Sequence, residues 1–526
     1  MKLQEALELL GLTEGFSRSE LDNAFNERAT VAQSNRQTQL LAQFSKARKL
    51  LLAEIPEELP TPVAETEYER EPRLALEYLI KTKSNVFVTG PGGCGKSFLL
   101  TDLIAAVKDR AVAVVAPTGT AAMNLKVKAS TANSFFKMPT HDGLSFDDHT
   151  SMSPVEKSKF KALELLVIDE ISMLSADFLD AIDLKLRAAR RIDKPFGGVQ
   201  VFMFGDPYQL SPVPATDPLM QVKLREKYPA GDWFFLADAY EDGQFEVIEL
   251  RVNHRVKNKD GEGAELIQNL RKIRLGEDLD NACAYFNERV AKTPDDTAYL
   301  TLVARHDVAV PINSREMEKL PGEIIKFEGS FKRVAPDSKA LPKWEDVPID
   351  EVLELKVGAQ VMFIKNDDQG GHIVDGKKVP RWANGHLGEV KEIQQESRIV
   401  KVLHIASGQI YEVKTSSWDL VRHEPTRKIL GHGGVKDALD PTVQASYIQF
   451  PLRLSWALTI HKSQGQTLKS MVFDPSGVFA AGQTYVALSR VRSIEGLGLT
   501  APIDKSKIFL DRQVMQFMRD CKPIHF

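Results

Sequence analysis

The chain has 526 residues, of which 43% are apolar and 27% are charged. This composition is typical of a globular protein, and the length exceeds what one hydrophobic core usually serves, so we expect three or four domains. The formal net charge of −4 excludes a surface that is basic overall, although a basic groove can lie on an acidic molecule. Because the sequence has no run of about 18 apolar residues and no signal-peptide pattern, we predict a cytoplasmic protein without membrane contact.

The first residues carry a helical pattern. Residues 1–54 repeat leucines at helical spacing, beginning with "ALELLGL", and are predicted to form a helical N-terminal module. Residues 55–70 are rich in proline and acidic side chains, which is typical of a linker. Cys94, Cys283 and Cys521 are too scattered for a disulfide framework or a metal cluster.

Short apolar segments then alternate with helical ones. The segments "NVFVTG", "AVAVVAPTG", "LELLVIDE" and "VQVFMFGD" are continuous apolar runs, which predict the strands of a buried parallel sheet. A polar, turn-rich stretch at about 138–160 is predicted to leave that sheet. Later segments such as "GAQVMFIKN" and "RIVKVLHI" alternate apolar with polar residues, which predicts a small antiparallel barrel. After it, "WALTIHKSQ" followed by Gly465 is predicted to be a helix that ends at a glycine, and "SMVFD" a buried strand.

The segment "NVFVTGPGGCGKSFLL" contains a phosphate-binding pattern between a strand and a helix. The residues of this pattern are Gly90, Gly92, Gly93, Gly95, Lys96 and Ser97. Backbone N–H groups of such a loop bind phosphates, the lysine reaches the β- and γ-phosphates, and the serine hydroxyl binds Mg²⁺. We therefore predict ATP and Mg²⁺ as cofactors.

Two later strands of the predicted sheet also end in polar residues. Asp169 is positioned to hold Mg²⁺ through water, and Glu170 to orient and deprotonate the attacking water. In "VFMFGDPYQLSPV", the neutral amide of Gln209 can sense a γ-phosphate by hydrogen bonding. An ordinary strand-to-loop turn explains the Gln209 segment equally well.

Two arginines lie far along the chain from the phosphate-binding loop. Arg255 occurs in "LRVNHR" and Arg490 in "TYVALSRVRS". In phosphoryl transfer, an arginine supplied by another domain can raise the rate by roughly 10³–10⁵. The pair predicts a second lobe that closes on the nucleotide, although each arginine could also be a surface cation.

In order along the chain, the phosphate-binding loop, "APTGTAA", "VIDEISML", "GDPYQLSPV", "LTIHKSQGQTL" and "YVALSRVRS" resemble the motifs of superfamily 1 DNA helicases. The segments "DEISM", "LKVGAQVMFIKN" and "WANGHLGEV" are similar to the Pif-type and RecD-like 5′-to-3′ branch, which includes the phage Dda-like enzymes. The resemblance implies an α/β fold with two RecA-like P-loop lobes, each with a parallel sheet, and a small SH3-like β-barrel inserted in the second lobe.

The resemblance also implies domain boundaries and roles in catalysis. The expected domains are residues 1–54 (helical module), 55–70 (linker), 71–250 (first lobe, with a pin insertion at about 138–160), 251–350 and 446–526 (second lobe) and 351–445 (barrel). Lys96 and Ser97 match the phosphate and Mg²⁺ positions, and Asp169 and Glu170 match the metal and base positions. The γ-phosphate sensor and the two arginine fingers are matched by Gln209, Arg255 and Arg490.

Residues expected to contact single-stranded DNA lie in two of these motifs: Pro117, Thr118, Thr459, His461, Lys462 and Gln464. Asn133 stands where the family commonly has a histidine, so its contact with DNA departs from the pattern. Phe146, in the pin insertion, is predicted either to split the duplex as a wedge or to anchor a packed loop. The glutamine with which many relatives read adenine is not evident in "EREPRLALEYL", so the preference for ATP is less firmly implied.

Residues 1–54 are weakly similar to a J-domain of the chaperone family, but they lack its His-Pro-Asp triplet. A docking module for a protein partner and an accessory helical hairpin are both open. For the whole chain we predict an ATP-dependent DNA helicase that moves 5′-to-3′ on single-stranded DNA and unwinds duplex junctions. We expect a monomer in a bacterial or phage-infected cell. The alternatives are an RNA-directed superfamily 1 helicase and an adaptor protein with a vestigial motor.

Overall fold

The computed structural model describes residues 3–12, 21, 24–25, 27–29, 38–52, 66–138, 152–215, 217–256, 261–294, 298–334, 344, 347, 349–374, 377–429 and 435–526. The chain divides into two compact units, residues 1–66 and 67–526. The first unit contains α1 (Leu3–Leu10) and α2 (Thr38–Leu52), which pack through a small apolar core that includes Leu7, Leu10 and Phe44. The helix predicted from the first leucine repeat is therefore confirmed.

The second unit begins with a six-stranded parallel sheet, which we call the sheet of the first lobe. Its strands are β1 (Val86–Thr89), β2 (Val112–Ala116), β3 (Ser130–Thr131), β4 (Leu165–Ile168), β5 (Gln200–Phe204) and β6 (Glu246–Glu249). Their order is β3-β2-β4-β5-β1-β6, with every neighbouring pair parallel. Successive residues of one strand enter two different cores, since Phe87 lies in one and Val86 and Val88 lie in the other. Burial on both faces explains why the predicted strands β1, β2, β4 and β5 are nearly continuous apolar runs.

Helices surround this sheet on both faces. They are α3 (Glu67–Lys81), α4 (Lys96–Ala106), α5 (Gly119–Asn124), α6 (Ala132–Phe136), α7 (Pro154–Ala162), α8 (Ala176–Arg190), α9 (Pro218–Lys227) and α10 (Asp238–Asp242). Helix α7 lies in the predicted pin insertion and begins with a capping box between Ser153 and Glu156. Phe146 lies outside the described residues.

The later helices are α11 (Glu262–Leu275), α12 (Leu279–Asn287), α13 (His306–Lys319), α14 (Gln483–Leu488) and α15 (Arg512–Asp520). Short 3₁₀ helices occur at Ile171–Met173, Pro195–Gly198, Phe234–Leu236, His461–Ser463 and Lys505–Lys507. Each helix of the described residues is too short or too polar to cross a lipid bilayer.

The later strands, in chain order, are β7 (Leu300–Val303), β8 (Ile325–Glu328), β9 (Ser330–Arg333), β10 (Val352–Leu355), β11 (Gln360–Phe363), β12 (His372–Val374), β13 (Lys377–Val379), β14 (Leu387–Gln394), β15 (Ile399–His404), β16 (Gln409–Val413), β17 (Ser416–Ile429), β18 (Val435–Gln449), β19 (Leu452–Leu454), β20 (Ala457–Thr459), β21 (Met471–Phe473) and β22 (Leu497–Leu499). Four of these form a second parallel sheet in the order β20-β7-β21-β22, which is the sheet of the second lobe.

Antiparallel strands lie between β7 and β20 in the chain. A five-stranded sheet has the order β16-β15-β14-β11-β19, and the long β17–β18 hairpin pairs with β9. The core of the antiparallel region includes Val361, Phe363, Trp382 and Val402. Strands outside the predicted interval 351–445 also take part, since β8 pairs with β10 and β19 pairs with β11.

Two segments differ from the sequence predictions. The stretch predicted as a helix from residue 456 is strand β20 followed by a single 3₁₀ turn, because Ala457 and Leu458 pair in register with β7. The end of the chain, predicted in the second lobe, returns to the first lobe. There Phe517 of α15 stacks on Phe235 at 4.1 Å, and Ile524 N–H donates to the Val247 carbonyl at 2.7 Å.

Candidate active site and nucleic-acid interface

The phosphate-binding loop joins β1 to α4 at the carboxyl edge of the first sheet. Gly90 has φ +147°, and a Cβ there would overlap the Leu250 carbonyl, so the position requires glycine. Gly95, with φ +88°, precedes the first turn of α4 and leaves its N–H groups open to an anion. Lys96 Nζ donates to the carbonyls of Gly90 at 2.7 Å and Pro91 at 3.2 Å. The loop therefore holds its own lysine over the place where phosphates are expected.

Two carboxylates follow β4, the strand two positions from β1. Asp169 is buried, and burial together with the neighbouring charge of Glu170 raises its pKa to about 7. Burial also raises the pKa of Glu170, while the charges of Lys96 and Arg490 and a hydrogen bond from Gln464 oppose that shift. Glu170 has φ +50°, a conformation that non-glycine residues rarely adopt and that is enriched at active sites.

Asp169 and Ser97 each carry oxygen donors of the kind that Mg²⁺ prefers. This ion usually binds through one or two protein oxygens together with substrate phosphates and water. Ser97 is exposed at the start of α4, and the Asp169 carboxylate, disfavoured as an anion by burial, gains from a nearby divalent cation. Among the described residues there is no group of three or more His, Cys, Asp or Glu that would hold a metal without a nucleotide.

Gln209 lies beyond β5 and is held by an ion pair that the sequence did not reveal. Its Nε2 donates to Asp206 Oδ2 at 3.2 Å, and Arg274 Nη2 of α11 donates to Asp206 Oδ1 at 2.9 Å. Both partners of the ion pair are nearly inaccessible to solvent, and the guanidinium carbon lies 4.5 Å from the centre of the Tyr208 ring. Arg274 lies in α11, which belongs to the predicted second lobe. The Arg274–Asp206 ion pair therefore links the predicted sensor Gln209 to that lobe.

Arg255 and Arg490 meet at the phosphate-binding loop. Arg255 Nη1 donates to the Ser489 carbonyl at 2.7 Å, and Arg490 Nη2 donates to Ser489 Oγ at 2.8 Å. A Cβ on Gly92 would lie 3.4 Å from Arg255 Nη1 and 3.5 Å from Arg490 Nη2. Arg490 is 1% exposed, and burial and the charge of Arg255 lower its pKa to about 9. Two crowded cations facing the loop provide strong attraction for a polyphosphate.

The two lobes also make direct contact at the phosphate-binding loop. Gly92 N–H donates to the hydroxyl of Tyr485 in α14 at 2.8 Å, and a Cβ on Gly482 would overlap the carbonyl of Gln209. Thr467 Oγ1 accepts from Arg255 Nε at 3.0 Å. Tyr485, Gly482 and Thr467 were not predicted as site residues. Their residue types indicate no function until the fold brings them to the loop.

The predicted DNA contacts occupy strand ends and the adjoining turns. Pro117 and Thr118 follow β2, where Thr118 Oγ1 accepts from Ala121 N–H at 3.1 Å and starts α5. Asn133 lies half-buried in α6. In the second sheet Thr459 ends β20 and accepts from Lys462 N–H at 3.3 Å.

His461 and Lys462 are exposed, whereas Gln464 turns inward and donates to Glu170 Oε2 at 3.1 Å. The segment from residue 461 to 467 is therefore exposed at its start and contacts Glu170 and Arg255 further along.

Two parallel sheets with a phosphate-binding loop, a carboxylate pair and two arginines at their seam define a nucleotide-driven motor with RecA-like lobes. The profile of the PIF1-like helicase family matches residues 73–281. The ATP-dependent DNA helicase Pif1 of Bdellovibrio bacteriovorus is 31% identical over 460 residues, which cover 87% of this chain and 93% of that protein. The chain belongs to the Pif1-like helicase family.

Solved structures agree with this assignment. Pif1 from Bacteroides in complex with ADP-AlF4 is 31% identical, covers 86% of this chain and 96% of its own, and has a TM-score of 0.71. The same Bacteroides protein bound to single-stranded DNA matches with the same identity and coverage and a TM-score of 0.57.

Proposed function

We propose that this chain is an ATP-dependent helicase that moves 5′-to-3′ on single-stranded DNA and separates duplex DNA ahead of it. The observation that carries the proposal is the segment of residues 463–467. Its members contact Glu170 through Gln464, Arg255 through Thr467 and Arg490 through the Ser463 carbonyl at 3.5 Å. The same segment continues directly from His461 and Lys462, the exposed residues assigned to the DNA strand.

In this proposal the γ-phosphate of ATP replaces contacts that the cleft now makes with itself. Lys96 exchanges its two carbonyl acceptors for phosphate oxygens, and Arg255 and Arg490 turn from Ser489 toward the same group. Glu170 orients the attacking water, and Ser97 and Asp169 would hold a Mg²⁺ ion that neutralises the charge of the phosphates. The two arginine exchanges tighten the contact between the lobes, and hydrolysis releases it.

The DNA strand is expected to cross the carboxyl ends of both sheets. Pro117 and Thr118 contact it from the first lobe, and Thr459, His461 and Lys462 from the second, with Asn133 at the edge. Separating a duplex opposes about 1.4 kcal/mol of stacking per base-pair step, so one lobe must hold the strand while the other moves. On the sequence, we further propose that the protein acts as a monomer in a bacterial or phage-infected cell. Residues 1–54 would bind a protein partner.

The decisive experiment compares duplexes that carry either a 5′ or a 3′ single-stranded tail. With ATP and Mg²⁺ we expect unwinding of the 5′-tailed substrate and little of the 3′-tailed one. Lys96→Ala is the matched control and is expected to abolish unwinding of both, because the phosphates lose their lysine. An RNA tail of the same sequence tests the strand type. Preference for a 3′ tail contradicts the direction, and equal action on an RNA tail contradicts the DNA assignment.

A further inference from the structure

A cavity of about 170 Å³ lies where the two lobes and the antiparallel region meet. Thr120 of α5 contributes from the first lobe, Lys462 and Gln466 from the second, and Trp344 and Asn384 from the antiparallel region. On the same measure a single buried water needs only about 10–15 Å³. The space therefore exceeds what one structural water would fill, and it opens two residues beyond the predicted DNA contact Thr118.

Gln466 lines this cavity, and its side-chain oxygen is left without a hydrogen bond. The side chain is only 8% exposed, and Oε1 has no hydrogen-bond partner among the described residues. A buried amide oxygen without a donor is unfavourable and rare in native structures, so a rotation of the side chain that let Oε1 accept an N–H from a bound group would be favourable. The amide nitrogen and oxygen are chemically exchangeable by rotation, so the side chain can meet either a donor or an acceptor.

The lining favours a nucleobase over a phosphate. Trp344 and Ile364 provide an aromatic and an aliphatic wall, and Asn384 adds a second neutral amide. The guanidinium in the lining, Arg453, lies 3.5 Å from the Asp350 carboxylate and is therefore already balanced. Lys462 is exposed and available for the phosphate of the same nucleotide. One aromatic ring beside neutral amides matches a base, since stacking and edge contacts need no net charge.

We propose that this cavity receives one unstacked base of the bound DNA strand, stacked against Trp344 and contacted at its edge by Gln466. The proposal rests on the proposed helicase function and adds a base contact to a strand otherwise held through its backbone. The Gln466 carbonyl accepts from Arg490 Nη1 at 3.4 Å, so a base that repositions Gln466 also repositions the arginine that faces the phosphate-binding loop. Occupancy of the cavity thereby becomes a signal for ATP hydrolysis.

The test uses the full-length protein and two 15-nucleotide oligomers, one of thymidine and one abasic throughout, because a protein that moves along the strand has no fixed register on it. We measure the DNA concentration for half-maximal ATPase stimulation and the maximal turnover. For the wild type, the abasic oligomer is expected to weaken stimulation by at least about 5-fold, the lower limit for one lost base stack. Gln466→Met and Trp344→Phe are expected to reduce this preference for the thymidine oligomer, and Trp344→Ala to reduce it further. Gln409→Met, at an exposed position of β16, is the matched control.

The outcomes separate the cavity from the motor. Equal stimulation of the wild type by the thymidine and the abasic oligomer overturns the base site and leaves the helicase assignment in place. No stimulation by either oligomer overturns the proposed function itself. An undiminished preference for the thymidine oligomer in both Gln466→Met and Trp344→Ala also overturns the base site. If free thymidine binds the protein while the two oligomers stimulate equally, the cavity takes a nucleoside and not the strand, which again contradicts the proposal.

Discussion

Gln464 Nε2 lies 3.1 Å from Glu170 Oε2 and joins the second lobe to the carboxylate assigned as the base. Gln464 follows the exposed Lys462 by two residues, and the intervening Ser463 is fully buried. In the proposed function, a DNA phosphate that displaces Lys462 would move the Glu170 carboxylate through a short and constrained piece of backbone. This hydrogen bond would then couple strand binding to hydrolysis.

The first prediction concerns Gln464→Leu, which removes this hydrogen bond with little change in volume. Hydrogen bonds to charged groups contribute roughly 1.5–3 kcal/mol, so DNA-stimulated turnover is expected to fall by about 10- to 100-fold. The affinity for the oligomer should change less than the turnover. Steady-state ATPase titrations with a thymidine oligomer measure both. Lys462→Ala serves as the comparison, because it should weaken DNA affinity more than maximal turnover; identical effects of both variants would contradict the separation of roles.

The second prediction concerns the buried ion pair of Arg274 and Asp206. Arg274→Met leaves the Asp206 carboxylate buried and unpaired, and removal of one partner of such a pair typically costs 3–5 kcal/mol. We expect a lower melting temperature together with slower ATP hydrolysis, since Gln209 depends on the same carboxylate. Thermal unfolding and steady-state turnover check the two effects.

Two controls make the Arg274 experiment specific. The double variant Arg274→Met with Asp206→Asn removes both charges and should recover much of the stability, because no unpaired charge remains. Arg271→Met, one turn earlier in α11, breaks an exposed pair with Glu277 and should cost less than about 1 kcal/mol. Equal destabilisation by Arg271→Met and Arg274→Met would show that burial of the pair has no special consequence.

The third prediction concerns Glu170→Gln. The amide keeps the size of the side chain but cannot accept a proton, so turnover is expected to fall by roughly 10²–10⁴ while ATP binding persists. Fluorescent-nucleotide titration measures binding, and phosphate release measures turnover. Glu241→Gln, at an exposed position of α10, is the control. Full turnover by Glu170→Gln refutes the assignment of Glu170 as the base.

Strands β1, β2, β4 and β5 of the first sheet could be predicted because they are almost entirely apolar and buried, whereas the short polar β3 (Ser130–Thr131) and β6 (Glu246–Glu249), which has a glutamate at each end, were not predicted. The phosphate-binding loop could be predicted because its glycines are required locally, as at Gly90. The stretch around Leu458 was misread as a helix, since three residues in a buried parallel strand have no periodicity that separates them from a helical turn. Pairing with β7, which is distant in the sequence, makes this stretch a strand.

The remaining differences come from contacts between distant parts of the chain. Arg274 looks like an ordinary helical cation until the fold places Asp206 beside it. Phe517 likewise gives no sign in the sequence that α15 will pack on the first lobe. The local sequences of α11 and α15 resemble those of ordinary surface helices. Only the three-dimensional arrangement shows that Arg274 and Phe517 make contacts across the fold.

The fourth prediction concerns Lys159 of α7, which is 5% exposed and whose amine donates to the Phe135 carbonyl. Burial is the main cause that lowers its pKa to about 7, and the nearby charge of Glu156 opposes that shift. The unfolded chain keeps this proton until about pH 10.4, so between pH 7 and 10 the unfolded state binds more protons than the folded state. The contribution of Lys159 to stability therefore rises with pH, by up to about 1.4 kcal/mol per unit.

Lys159→Met removes this titration and should flatten the dependence of unfolding free energy on pH. The variant is expected to gain most over the wild type below pH 7, where the buried amine is charged in both states of the wild type. That advantage should shrink as the pH approaches 10, because the wild-type amine is then neutral when folded. Chemical denaturation at pH 7, 8 and 9 measures the slope. Lys161→Met, at an exposed position of α7, should follow the wild type, and a parallel pH dependence for Lys159→Met would contradict the lowered pKa.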